Sequence, residues 1–164
     1  MRIAVEIESQ SAEETRSFGT RLAHQLRIGD VVLLHGDLGA GKTTLTQGLA
    51  QGLGITEPVQ SPTFTLVAEH LGYTANGAPI RLYHLDLYRL GGEEDLEDIG
   101  FDDLLAPRDG ISIIEWPERA GRWLPERYIL VRIERIGEDT RWLRLNASHL
   151  GREIAMPPIA PEEG

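Results

Sequence analysis

The stretch Gly36-Asp37-Leu38-Gly39-Ala40-Gly41-Lys42-Thr43 fits the spacing G-x-x-x-x-G-K-[ST] of a phosphate-binding loop. Glycines let backbone N–H groups turn inward around a phosphate chain with no Cβ in the way. A following helix aims the positive end of its dipole at the same anion. Lys42 supplies a point charge for the outer phosphates, and the Thr43 hydroxyl suits a Mg²⁺ that bridges two of them. A Gly-rich turn before an ordinary helix is the bland alternative, and the flanks argue against it. Val31 to His35 is an apolar, β-branched run of strand length. After the loop, Leu45, Leu49 and Leu53 recur at four-residue spacing, and Gly54 follows as a helix stop. Lys42 is also the only lysine in the chain. An ammonium is retained where a planar guanidinium fork fits poorly.

Outward from this loop the pattern is α/β. The expected fold is P-loop NTPase-like: a central, mostly parallel sheet flanked by helices, with a β-rich C-terminal half. Residues 2–8 alternate as a first strand. Ser11 and Glu14 have capping-box spacing and open a helix carrying Phe18, Leu22 and Leu26. From Phe64 the chain turns β-like, while Pro62 opposes a regular central strand at its own position. Asn76-Gly77 marks a hairpin turn, after which Arg81 to Leu90 reads as a strand pairing with 64–70. Residues 93–105 predict one or two short acidic helices buried through Leu96, Ile99, Leu104 and Leu105. Ile111 to Trp116 is a short strand apolar on both faces, ending in Glu115, and residues 117–126 are a loop with room for a helical turn. Residues 128–136 and 141–147 alternate around Glu138-Asp139 as a final hairpin.

The 164 residues predict one domain over 1–150 and a tail over 151–164. Pro157, Pro158, Pro161 and two glutamates make that tail a candidate for disorder. Hydrophobic content of 41% with 26% charged residues is ordinary for a water-soluble domain. No apolar run reaches membrane-spanning length, the N-terminus does not read as a signal peptide, and there is no cysteine. A cytoplasmic protein is the expectation, with disulfides and thiol chemistry excluded. Acids outnumber bases 26 to 16, for a net charge of −10. That disfavours unaided nucleic-acid binding and favours basic protein partners.

A P-loop fixes a site and not a reaction. Two acids are placed to complete it. Asp86 lies in the apolar run Leu85-Asp86-Leu87, and Glu115 closes Ile111-Ser112-Ile113-Ile114. A carboxylate at the C-terminal end of a strand beside the P-loop strand points into the ligand crevice. There it holds Mg²⁺, directly or through water, or orients an attacking water. The bland readings are a solvated strand-end acid for Glu115 and, for Asp86, an edge-strand polar face shared with His84 and Tyr88.

Four motifs in order, G-D-L-G-A-G-K-T-T at 36–44, S-P-T-F-T-L-V at 61–67, Y-H-L-D-L-Y-R-L at 83–90 and I-I-E-W-P-E-R at 113–119, resemble the TsaE (YjeE) family. That family comprises the P-loop ATPases of bacterial tRNA threonylcarbamoyladenosine synthesis. The resemblance implies that Gly36, Asp37, Leu38, Gly39, Ala40, Gly41, Lys42, Thr43 and Thr44 bind ATP. It implies that Thr43, Asp86 and Glu115 form the Mg²⁺ side, and that Lys42, Thr63, Asp86 and Glu115 serve hydrolysis. Ser61 and Thr63 would sit in a loop that senses the γ-phosphate, and Trp116 would lie close enough to report on nucleotide. Ser11 and Ala12, with Asp139, Thr140 and Arg141, are the candidates near adenine. The implied partners are the TsaD–TsaB pair, through which tRNA is reached indirectly, with turnover slow alone and stimulated by partners.

Three other readings share parts of this pattern. A small-molecule kinase needs a basic lid, for which Arg119, Arg122 and Arg127 are available. A non-hydrolytic ATP-dependent switch needs the same site as an ATPase. A GTPase would need an Asn-Lys-x-Asp motif, and the one lysine is already in the P-loop. The acidic run from Glu93 to Asp103 suits either a docking surface or a solvated helix face.

Overall fold

The computed structural model describes residues 4–60, 62, 66–147, 149, 150, 152 and 154. Ser61, Thr63 and most of the Pro-rich tail lie outside the described residues. Strands β1 (Ala4–Ser9), β2 (Val31–His35), β3 (Val67–Tyr73), β4 (Pro79–Asp86), β5 (Gly110–Glu115), β6 (Ile129–Arg135) and β7 (Arg141–Asn146) form one sheet. Its order is β1-β7-β6-β2-β5-β4-β3. The four central strands, β6-β2-β5-β4, are mutually parallel. Antiparallel strands extend them on both sides, β7 and β1 on one and β3 on the other. The continuous apolar runs mark the parallel centre: every residue of β5 is buried, as is every residue of β2 except His35.

Helices α1 (Ala12–Ala23) and α2 (Lys42–Gly52) cover one face, and α3 (Glu93–Asp98) and α4 (Phe101–Leu104) the other. Alternation along the strands sorts the side chains. Val32, Leu34, Leu82, Ile111 and Ile113 pack towards α1 and α2, while Val31, Leu33, Leu85 and Ile114 pack towards Leu96, Phe101 and Leu104. α1 opens as its sequence predicts. Ser11 Oγ accepts from Glu14 N at 3.1 Å, and Gln10 N donates to Glu14 Oε2 at 2.6 Å. The glutamate thus caps one residue before the N-cap, a variant of the capping box. Gly54, at φ 69°, ends α2 in the left-handed conformation open to glycine.

α1 and α2 cross closely because two glycines face each other's backbone. A Cβ on Gly48 would stand 2.1 Å from Arg16 O, and one on Gly19 would stand 2.6 Å from Leu45 O. Thr20 Oγ1 donates to Gly48 O across this contact at 3.0 Å.

The predicted strand 81–90 is shorter at its far end. β4 stops at Asp86, and Leu87 to Leu90 form a turn closed by Leu90 N donating to Leu87 O at 3.1 Å. Leu87 is fully buried, so its hydrophobicity reports packing and not pairing. Phe101, 2% exposed, anchors α4 in addition to the leucines expected there. Beyond β7, Arg152 grips the buried Asp30 with two nitrogens at 2.9 and 2.5 Å and donates to Gln25 O at 3.2 Å. Leu150 and Ile154 join the core beside α1 and α2. Among the described residues no helix is long and apolar enough to cross a membrane.

Candidate functional site

The P-loop leaves β2 at Gly36 and enters α2 at Lys42. Ala40 N donates to Asp37 O at 3.1 Å, closing a tight turn, and Gly39 and Gly41 take φ values of 77° and 107°. Such angles are strained for any residue with a Cβ. Gly36 is tight for a second reason: a Cβ there would meet Ile133 O at 2.6 Å. Gly41 caps α2 without a side-chain hydrogen bond, and no acid occupies the helix's first turn. Gly41 thus offers the helix N-terminus no side-chain acceptor of its own, an arrangement that suits an anion.

The two predicted carboxylates converge. β4 and β5 pair in parallel with Asp86 opposite Glu115, both at the C-terminal ends of their strands. β5 in turn pairs with β2, placing Leu34 opposite Glu115, two residues before Gly36. Parity puts both carboxylates on the face that carries α2, since Leu82 and Ile113 on the same parity pack there. Glu115 is buried and Asp86 is partly exposed. Asp86 Oδ1 accepts from Tyr88 N at 3.0 Å. Burial pushes the Asp86 carboxyl above the usual carboxylate range, against the Tyr88 amide, which lowers it; the nearby Glu115 charge adds to the rise.

Lys42 lies between these acids and the loop. Its Nζ donates to Gly36 O at 2.5 Å and stands 3.6 Å from the centre of the Trp116 ring. Burial lowers its pKa below the ordinary lysine value, while Glu115, Asp86, Glu118 and Asp37 oppose the shift. Trp116 reaches the lysine because its backbone is left-handed, at φ 57° and ψ 50°. That turn ends β5 and folds the indole back over the P-loop, a strained conformation for a bulky residue. Tyr88 packs against Trp116 at 4.9 Å between ring centres, and the Arg119 guanidinium lies 5.8 Å from the Tyr88 ring. The only other non-glycine residue with positive φ among those described is Leu66, whose carbonyl accepts from Asp86 N at 2.9 Å. Both strained residues thus adjoin the carboxylates.

Arg141 and Ser11 also come to this end of the sheet. Arg141 opens β7 opposite Ser9, two residues before Ser11. Its Nε donates to Ala40 O at 2.8 Å, and Nη1 reaches the carbonyls of Gly137, Glu138 and Thr140 at 3.1 to 3.3 Å. The guanidinium therefore braces the P-loop against the β6–β7 turn. The Ser11 hydroxyl is engaged in capping α1. Thr43 and Thr44 occupy the first turn of α2, and Thr63 lies outside the described residues. Of the candidate lid arginines, Arg122 is paired with Glu93 at 3.0 Å and Arg119 stacks on Tyr88.

The donor set fits Mg²⁺ held jointly with a nucleotide. Among the described residues no group of three or more His, Cys, Asp or Glu forms a self-sufficient metal cage. Two carboxylates and a threonine hydroxyl beside an anion-binding loop match a cation that takes its remaining ligands from phosphate and water.

One residue of this site escaped the sequence reading. His84, fully buried, bonds through Nε2 to Glu115 Oε2 at 2.6 Å. The spacing carried a signal, because His84 and Asp86 differ by two positions and so share a face of β4.

The comparisons with known proteins agree with this geometry. The family described as "Threonylcarbamoyl adenosine biosynthesis protein TsaE" matches residues 9–143. The chain is 41% identical over 135 residues to the "tRNA threonylcarbamoyladenosine biosynthesis protein TsaE" of Bacillus subtilis, covering 82% of this chain and 80% of that one. It is 48% identical over 133 residues to the protein of the same name from Nostoc, covering 79% and 77%. The crystal structure of Bacillus subtilis YdiB superposes with a TM-score of 0.69 at 35% identity, covering 90% of this chain and 87% of that one. Sequence, sheet order and P-loop setting lead to one assignment: this chain belongs to the TsaE family of P-loop proteins.

Proposed function

We propose that this protein is a Mg²⁺-dependent ATPase that supports threonylcarbamoyladenosine modification of tRNA, acting through partners of the TsaD and TsaB type. The observation that carries the reading is the pairing of Asp86 with Glu115 at the ends of adjacent parallel strands, beside the P-loop lysine. The loop amides and Lys42 bind the phosphates. Thr43, Asp86 and Glu115 would hold Mg²⁺, which would neutralise phosphate charge. Glu115 orients the attacking water. The water oxygen bonds to the γ-phosphorus as the bond to the bridging oxygen of ADP breaks, and a water proton leaves with the released phosphate or solvent. The net charge of −10 supports access to tRNA through partner proteins.

The test is ATP turnover measured alone and with the partner complex, together with reconstituted tRNA modification. Partner-stimulated turnover that Lys42→Ala abolishes is the expected result. Modification that requires bound ATP without stimulated turnover would replace the ATPase with a nucleotide-dependent switch. Phosphorylation of an added small-molecule acceptor above background hydrolysis would replace it with a kinase. Lys42→Ala is expected to weaken Mg-nucleotide binding by about tenfold or more, since it removes a charge-assisted contact; titration calorimetry checks this.

A further inference from the structure

We infer that His84 is the positioning residue for Glu115, an inference that rests on the ATPase reading above. Three observations carry it. The His84 Nε2 to Glu115 Oε2 contact is 2.6 Å long and buried at both ends, the side chains being 0% and 3% exposed. His84 lies on β4 two residues before Asp86, and its register partner Ile113 lies two before Glu115. The contact therefore runs diagonally across one strand pair, on the face that carries α2. Lastly, His84 Nδ1 is buried with no hydrogen-bond partner among the described residues.

The last observation leaves Glu115 as the one hydrogen-bond partner of the ring among the described residues. A carboxylate oxygen only accepts, so Nε2 must carry the hydrogen. His84 is accordingly a donor aimed at Oε2. It commits that oxygen and fixes the rotation of the carboxylate. A glutamate with three side-chain torsions would otherwise sample orientations that misplace the attacking water, and such misplacement is costly in rate. The arrangement parallels the outer partners that orient metal-binding carboxylates in other enzymes.

The test uses the full chain with its partner complex. His84→Leu removes the donor and keeps an apolar side chain in the core. His84→Gln keeps an N–H near the position of Nε2. The expected result is a fall in kcat of about 10- to 100-fold for His84→Leu. At saturating Mg²⁺, KM for ATP and the affinity for ADP should stay within about twofold, and His84→Gln should restore most of the rate. The ring nitrogen spectrum of the wild-type protein supplies a readout apart from activity: Nε2 should carry a hydrogen. An Nε2 without a hydrogen, an unchanged kcat in His84→Leu, no rescue by His84→Gln, or a parallel loss of nucleotide affinity would each overturn the assignment. If the leucine variant does not fold, the wild-type spectrum and the glutamine variant decide. Wild-type protein that hydrolyses no ATP even with partners would refute the ATPase reading itself, and this inference with it. That failure is distinguishable because it shows in the unmutated chain.

Discussion

Lys42 makes two contacts that phosphate must replace or share: the hydrogen bond to Gly36 O and the face of the Trp116 ring. Nucleotide binding should therefore alter the indole's surroundings. In a Trp123→Phe, Trp142→Phe background, Trp116 emission is expected to change on adding Mg-ADP, and a silent signal would contradict the contact. Asp86 illustrates the cost of assembling such a site. Its pKa is raised in the fold, chiefly by burial, so between the unfolded value of 3.8 and the folded value the native state binds more protons than the unfolded state. Stability falls as pH rises through that window. Asp86→Asn keeps the acceptor for Tyr88 N and removes the charge. It should raise the melting temperature of the nucleotide-free protein at neutral pH, with a gain that shrinks on acidification towards the ordinary carboxylate range. The same variant should weaken Mg²⁺-dependent nucleotide binding. Calorimetry at several pH values checks the first effect, and titration with Mg-ADP the second.

At the scale of elements, the crossing of α1 and α2 sets where the P-loop helix begins. Gly48→Ala would drive a methyl group into Arg16 O, where the ideal Cβ position is 2.1 Å away, and backbone cannot yield as a side-chain tip can. The expected loss is about 1–3 kcal/mol or more, measured by urea unfolding. An unchanged midpoint would mean that the helices separate freely. Elements of this kind were unevenly legible in the sequence. β2, the P-loop and α2 were plain because strand, glycine spacing and 3.6-residue period agree. The end of β4 was not, because Leu87 is apolar through core burial while the chain has already turned. The close helix crossing was also hidden: Gly19 and Gly48 are unremarkable until the two helices are docked. In the site, Asp86 and Glu115 stood out as acids within apolar runs. His84 was passed over because a histidine between Tyr83 and Leu85 suits an ordinary polar face, and only the strand register brings it to Glu115.

At the scale of the whole molecule, chain segments far apart in sequence hold the bottom of the sheet. Arg152 satisfies both oxygens of the buried Asp30, 122 residues earlier, while Asp30 Oδ2 also accepts from Arg27 N at 2.7 Å. Arg152→Ala leaves that carboxylate without its cation and should cost about 1–3 kcal/mol, a value discounted because the arginine is partly exposed. Thermal unfolding checks this, and nucleotide affinity should be spared because the pair lies at the end of β2 away from the P-loop. At the opposite end, the single lysine of the chain is 6% exposed and capped by an indole. Lys42 is thus the only side-chain amine that an acylating reagent can modify in this protein. With the α-amine product set apart by peptide mass spectrometry, a lysine-directed reagent reports on one side chain: slow incorporation at Lys42 measures how often Trp116 lifts, and protection by Mg-nucleotide measures occupancy.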